Sequence, residues 1–313
     1  MITFRLLNLE TDTPDLGRLL SLTRPESVTL EQVHDWWQPR QAEIRQTILA
    51  LNKAGQVTGM ADAQRTPSMR PAHFWLSVVV LPEWRRQGTG ARLFENGVLF
   101  VRSQGGIVLE SAIRDNDPGS LQFAERRGYW IERHSFDSVL DLASFEASYF
   151  SGLLEQIQAA GFRFFSLADL GTLTEPSKQK LYELNRITGL DNPGNNRSFP
   201  SYADFCKNVF EASWFHPADQ MLATYRDQWA GLTALAFYPE GNYAFNAFTG
   251  VLPEYRGRGL ATALKLQAIE RARSYGAKYI RTNNDSQNAP MLAVNRKLGY
   301  QPRPGLYQLL SIL

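Results

Sequence analysis

The feature that most constrains this chain is that it repeats itself. Residues 80–93 read VLPEWRRQGTGARL and residues 251–264 read VLPEYRGRGLATAL, 171 positions later. At the same spacing Arg102-Ser103 and Gly105 recur as Arg273-Ser274 and Gly276, and Gly128-Tyr129 recurs as Gly299-Tyr300. One spacing without a gap over about fifty residues is the mark of a tandem duplication, so whatever the first half folds into, the second half folds into as well.

Each copy reads as alternating strands and helices. In the second, residues 242–251 are β-prone and end before Pro253, which cannot donate to a ladder. Residues 260–274 place Leu260, Ala263, Leu264, Ala268, Ile269 and Ala272 at helical spacing, with Lys265 and Glu270 expected outward. Gly276 suits a helix C-terminus, residues 278–283 a short strand, and Asn288 with Pro290 the start of another helix ending at Gly299. The first copy parallels it, with strands over 73–81 and 107–113 and helices over 89–103 and 118–127. Upstream, strands are expected at 2–7, 44–51 and 57–63 in one half, and at 162–167, 220–225 and 231–237 in the other. Helices are expected at 30–37, 178–187 and 202–210, and the stretch 142–161 reads as a helical connector. The expected division is 1–145, a connector over 146–160, and 161–313, each half an α/β unit with a mixed sheet.

Composition removes several classes of function. Thirty-three basic against 31 acidic residues give a formal charge of +2, with no basic run suited to nucleic acid. The single cysteine, Cys206, allows no internal disulfide, and the four histidines lack metal-ligand spacing, so no metal is expected. No apolar run reaches membrane-spanning length and the N-terminus does not read as a signal peptide, so a cytoplasmic protein without membrane partners is expected.

The repeated loop carries the chemistry. A strand running through a glycine-bearing turn into a helix presents unpaired N–H groups and the positive end of the helix dipole, a cradle for phosphate. In the second copy Arg256 and Arg258 add fixed positive charge beside Gly257, Gly259, Leu260 and Ala261. The first copy offers Arg85, Arg86, Gln87, Gly88, Thr89 and Gly90 after Val80 as a possible second site.

Arg256-x-x-Gly259-x-Ala261 after a strand, followed by Asn288 and Gly299-Tyr300, resembles the GNAT N-acetyltransferase superfamily, and Arg85-x-x-Gly88-x-Gly90 with Gly128-Tyr129 repeats the pattern. The tandem layout is similar to that of mycothiol synthase. The resemblance implies two α/β (α+β) acyltransferase folds, each a mixed, mostly antiparallel sheet flanked by helices. It implies acetyl-CoA as acyl donor and a small-molecule primary amine as acceptor, joined by direct attack in a ternary complex. By the same resemblance, the backbone of Thr249-Gly250-Val251 would hold the pantetheine arm, the amides of Arg256–Ala261 the pyrophosphate, and Asn288 the pantetheine or adenosine side. A monomer is expected, since two such units in one chain can do the work of a dimer.

One position departs from the family pattern. Four residues before the terminal glycine many members carry a tyrosine that protonates the departing thiolate; here Asn295 and Ala124 stand there, and neither is an acid near neutral pH. Tyr255 or Tyr300 could serve instead, or the thiolate could leave as the anion. Glu240 and Asp285 are the candidate bases in the second copy. Asp117 stands where the second copy has Asn288, an acidic group facing an anionic cofactor, so the C-terminal unit is expected to be the catalytic one. A non-catalytic acyl-CoA sensor or scaffold is the competing expectation.

Overall fold

The computed structural model describes residues 2–23, 29–38, 40, 42–193 and 199–313. In chain order its elements are β1 (Thr3–Leu6), α1 (Leu9–Leu20), α2 (Leu30–Trp37), β2 (Ile44–Leu51), β3 (Val57–Arg65), β4 (His73–Val80), α3 (Thr89–Ser103), β5 (Val108–Arg114), α4 (Pro118–Glu125) and β6 (Trp130–Asp141). There follow α5 (Leu153–Ala159), β7 (Phe162–Ser166), α6 (Glu175–Leu190), α7 (Tyr202–Phe205), β8 (Gln220–Tyr225), β9 (Gln228–Tyr238) and β10 (Tyr243–Val251). The last are α8 (Leu260–Ser274), β11 (Tyr279–Asp285), α9 (Ala289–Lys297), β12 (Gln301–Pro302) and β13 (Leu306–Ile312).

Local chemistry places the boundaries of the repeated elements. Gly88 and Gly259 adopt φ of 81° and 82° as the residues before α3 and α8, a left-handed turn that a side chain would strain. Asp117 and Asn288 cap α4 and α9 by accepting the amides of Ser120 and Met291, and Pro118 and Pro290 occupy the first turns, where no N–H is missed. Thr29 and Gln32 form a reciprocal capping box at the start of α2. The expected helix over 202–210 is α7 continued by a π-turn over Cys206–Phe210.

The chain forms two compact units, residues 1–132 with 306–313, and residues 133–305. The first has the strand order β1-β2-β3-β4-β5-β13, the second β7-β8-β9-β10-β11-β6, with β12 on the other side of β6. Only β4–β5 and β10–β11 pair parallel; the other pairings within each unit are antiparallel. The linear division into 1–145, 146–160 and 161–313 does not follow this pairing. Residues 133–141 complete the second unit's sheet, and 306–312 run antiparallel to β5 in the first. Each Gly-Tyr pair is followed by strand, and nothing in those sequences says which sheet it joins. The expected connector consists of a 3₁₀ turn at Ala147–Phe150 and α5, which packs on β7 and α8 as part of the second unit.

Each core lies between the sheet and the helix that follows the repeated loop. In the first unit α3 buries Leu93 and Val101 fully against β2, β3 and β4. In the second α8 buries Leu264 and Ile269 against β8, β9 and β10. Each such side chain contributes roughly 1.5–3 kcal/mol of hydrophobic stabilisation.

Candidate functional site

In the second unit β10 and β11 pair only over Tyr243–Phe245 and then diverge. Beyond that point the edge of β10 facing β11 has no ladder partner, while its other edge stays paired to β9 as far as Val251. The divergence opens a cavity of about 460 Å³ lined by Thr249, Gly250, Val251, Gly259, Asn288 and Lys265, among others. At its mouth Gly257 and Gly259 take φ of 74° and 82°, and no side chain caps the N-terminus of α8. Those helix amides are therefore available to an anion.

The first loop arginine has a structural task in both copies. Arg256 Nε donates to the Val251 carbonyl at 2.9 Å, and Arg85 Nε donates to the Val80 carbonyl at 3.0 Å, so each clamps the strand end to the loop. Arg256 also pairs with Asp191 at 2.7 Å, with both side chains about half exposed, which leaves the guanidinium at the cavity rim.

The floor of the cavity is polar and buried. Asn246 Nδ2 donates to Thr233 Oγ1, Ala234 O and Phe248 O at 2.8–3.1 Å, which fixes Oδ1 as the acceptor. That oxygen receives Thr249 Oγ1 at 3.1 Å and Lys265 Nζ at 2.6 Å. The residue after Asn246, Ala247, is a β-bulge between the paired residues Asn246 and Phe248. Lys265, expected outward, is 1% exposed, and its Nζ stands 5.0 Å from the centre of the Tyr300 ring. Desolvation lowers its pKa to about 7.

The other residues singled out in the sequence fall into two groups. Thr249–Val251, Arg256, Gly257, Gly259, Leu260, Ala261, Asn288 and Asp285 all line the cavity. Arg258 lies in the same loop but is exposed, its guanidinium reaching back to the Glu254 carbonyl. Asn288 spends Oδ1 on its helix cap and Nδ2 on Asn192, and forms part of the cavity wall. Asp285 is buried and accepts from Arg133 Nε at 2.6 Å and from the Gln287 amide, which ties up a carboxylate expected to act as a base. Glu240 is exposed in the turn before β10, at the far end of the strand from Thr249, and is not on the cavity wall. Asn295 is buried behind the wall, donating to Asn284 Oδ1 at 2.7 Å. Burial raises the Tyr300 pKa, and Tyr255 spends its hydroxyl on Gln228, so neither tyrosine is placed as a proton donor. Phe248 also lines the cavity, whereas Trp36, Trp37 and Phe215 pack against hydrophobic cores.

The first unit keeps the loop and changes the floor. A groove of about 820 Å³ runs beside Val80, Arg85, Arg86, Gly88 and Gly90. Asp117 turns its carboxylate onto Ser120, donated to by that residue's amide and hydroxyl, and stays ionised below the usual carboxylate range through those bonds and Arg85. Strand register and the 171-residue spacing place Phe94 where the second unit has Lys265, Leu76 where it has Asn246, and Ala61 where it has Thr233. Phe94 meets Tyr129 edge-on at 6.2 Å between ring centres, the counterpart of Lys265 over Tyr300.

A sequence model described as the Acetyltransferase (GNAT) family matches residues 13–129 and 181–300. No curated protein matches the sequence. Among solved structures, a GCN5-related N-acetyltransferase from Sphaerobacter thermophilus is 16% identical with a TM-score of 0.67, covering 99% of this chain and 95% of its own. A tandem GNAT protein from the clavulanic acid biosynthesis pathway is 20% identical with a TM-score of 0.59, covering 100% and 98%. At these identities the likeness is one of fold, and it extends over both units.

Proposed function

The chain belongs to the acetyltransferase (GNAT) family and is an N-acetyltransferase, and from that premise we propose that its C-terminal unit moves an acetyl group from acetyl-CoA to a small primary amine. The observation that carries the reading is the divergence of β10 from β11 beside an uncapped α8. Pyrophosphate on the α8 amides and a pantetheine arm along the free edge of β10 would use both features at once. Arg256 at the rim adds charge to the first contact. An unprotonated amine entering from the open side attacks the thioester carbonyl directly, with no acyl-enzyme. The rate gain then comes mainly from orientation and from donors aimed at the carbonyl oxygen.

Thiol release from acetyl-CoA with chemically grouped amines tests this, alongside calorimetry of acetyl-CoA binding. Turnover with at least one amine class is expected. The sensor reading rests on a specific observation, the buried Asn295 in place of an acid. Stoichiometric binding with no thiol release on any amine would establish that reading and overturn transfer.

A further inference from the structure

Lys265 is a buried cation without an anionic partner, at the point where the two strands part. Its single hydrogen bond goes to the neutral Asn246 oxygen, and its other N–H bonds find no acceptor among the described residues. A buried amine of this kind is expensive unless it is used. The duplicate shows that the fold does not require it, since Phe94 fills the equivalent place in the first unit. The neighbouring polar residues changed with it: Asn246 for Leu76, Thr233 for Ala61, and Asn295 for Ala124.

The position also matches the reaction. From Val251 back to Asn246 the free edge of β10 spans roughly 15 Å, the run of an extended arm whose phosphates rest on α8. Its reactive end would then lie at the point of divergence, which Thr282 closes by donating to the Asn246 carbonyl at 3.0 Å. The only side chain of that floor able to give up a proton near neutral pH is the Lys265 ammonium, among the described residues on the cavity wall.

Resting on the transferase reading above, we infer that Lys265 is the proton donor to the departing thiolate, the task that Asn295 cannot perform. The acceptor nitrogen forms its bond to the acetyl carbon. The carbon–sulfur bond breaks with its electron pair going to sulfur, and the lysine ammonium gives that sulfur a proton. The proton shed by the nitrogen as it becomes an amide restores the lysine, so the cycle balances. The titratable and charged groups sharing the cavity are Asp285 with Arg133, Asp191 with Arg256, and Tyr255, with Tyr300 beneath the amine. Both carboxylates are already paired.

The test is Lys265→Met in the full chain, with hydroxylamine as a small neutral acceptor and acetyl-CoA as donor. The wild-type rate should fall as pH rises through about 7, where the ammonium is lost. The variant should be about 100-fold slower, lack that fall, and bind acetyl-CoA in calorimetry as the wild type does. Nitrogen-labelled lysine spectra of the ligand-free protein should show one amine titrating well below the rest, absent from the variant. Overturning results are an undiminished rate, a pH profile shared with the variant, loss of acetyl-CoA binding, or a Lys265 signal titrating with the surface lysines. A wild type inactive with hydroxylamine and with every amine class would remove the transferase reading, and this assignment with it.

Discussion

The two units share a loop and differ beneath it. β4 has eight residues and β10 nine, and the additional residue is the bulge at Ala247; β3 and β4 pair without interruption over the equivalent stretch. In the first unit the floor is Phe94, Leu76 and Ala61, an ordinary apolar core; in the second it is Lys265, Asn246 and Thr233. Duplication preserved the loop, which depends on backbone geometry, while the layer beneath it diverged. The loop is thus common to both copies, and the buried polarity below it is what sets the second apart.

The largest break in this comparison should come from the loop itself. Gly259→Trp puts a side chain on a left-handed φ of 82° and drives it against Leu153 and Ile157 of α5, which should displace the loop and weaken acetyl-CoA binding at least about 1,000-fold in calorimetry. Gly88→Trp should leave affinity at the C-terminal unit unchanged.

Next comes the floor. The folded-state pKa of Lys265 is lowered from 10.5 to about 7, so the unfolded chain binds more protons between those values. Unfolding free energy should rise with pH across that window, and the full penalty applies below 7. Lys265→Met should remove the slope. At pH 6 it should stabilise the second unit by about 2–4 kcal/mol, after allowing for the lost bond to Asn246. Chemical denaturation at several pH values measures both, and a slope that survives in the variant would place its origin elsewhere.

Arg256→Ala should weaken acetyl-CoA binding about tenfold, through lost charge and a loosened strand end. The smallest effect concerns the left-handed position before each helix. Arg86 holds φ of 62° where the second unit has Gly257. Arg86→Gly should stabilise the first unit by about 1 kcal/mol and Gly257→Arg should cost the second about as much, read from the melting of each.

Much of the site was legible because its signals are local. Gly259, Pro290 and the cap at Asn288 announce backbone conformations that depend on near neighbours, and α8 runs over the residues its periodicity indicates. Lys265 was misread because a charged head suggests solvent, yet Ala268 and Ile269, three and four residues on, are both buried on its face. Comparison with Phe94 at the repeat spacing carried the signal. The bulge was hidden because the motif aligns downstream of it; only the strand's start, shifted by one residue relative to the first copy, records it. Glu240 was proposed for its nearness in sequence to β10, but a nine-residue strand separates it from the loop by roughly 30 Å. The α1 helix and strands β6 and β13 lay outside the repeated core and offered no pattern of that kind.

The source of each sheet's sixth strand bears on how the protein is made. During synthesis the first unit has every strand but one by residue 114, and its β5 edge waits until residues 306–312 have emerged. That open edge is a template for unwanted pairing with another nascent chain. The C-terminal unit draws its strand pairings from residues 135–302 and needs nothing from the last strand. Cutting the gene between the repeats would leave the leading half with its sheet unfinished.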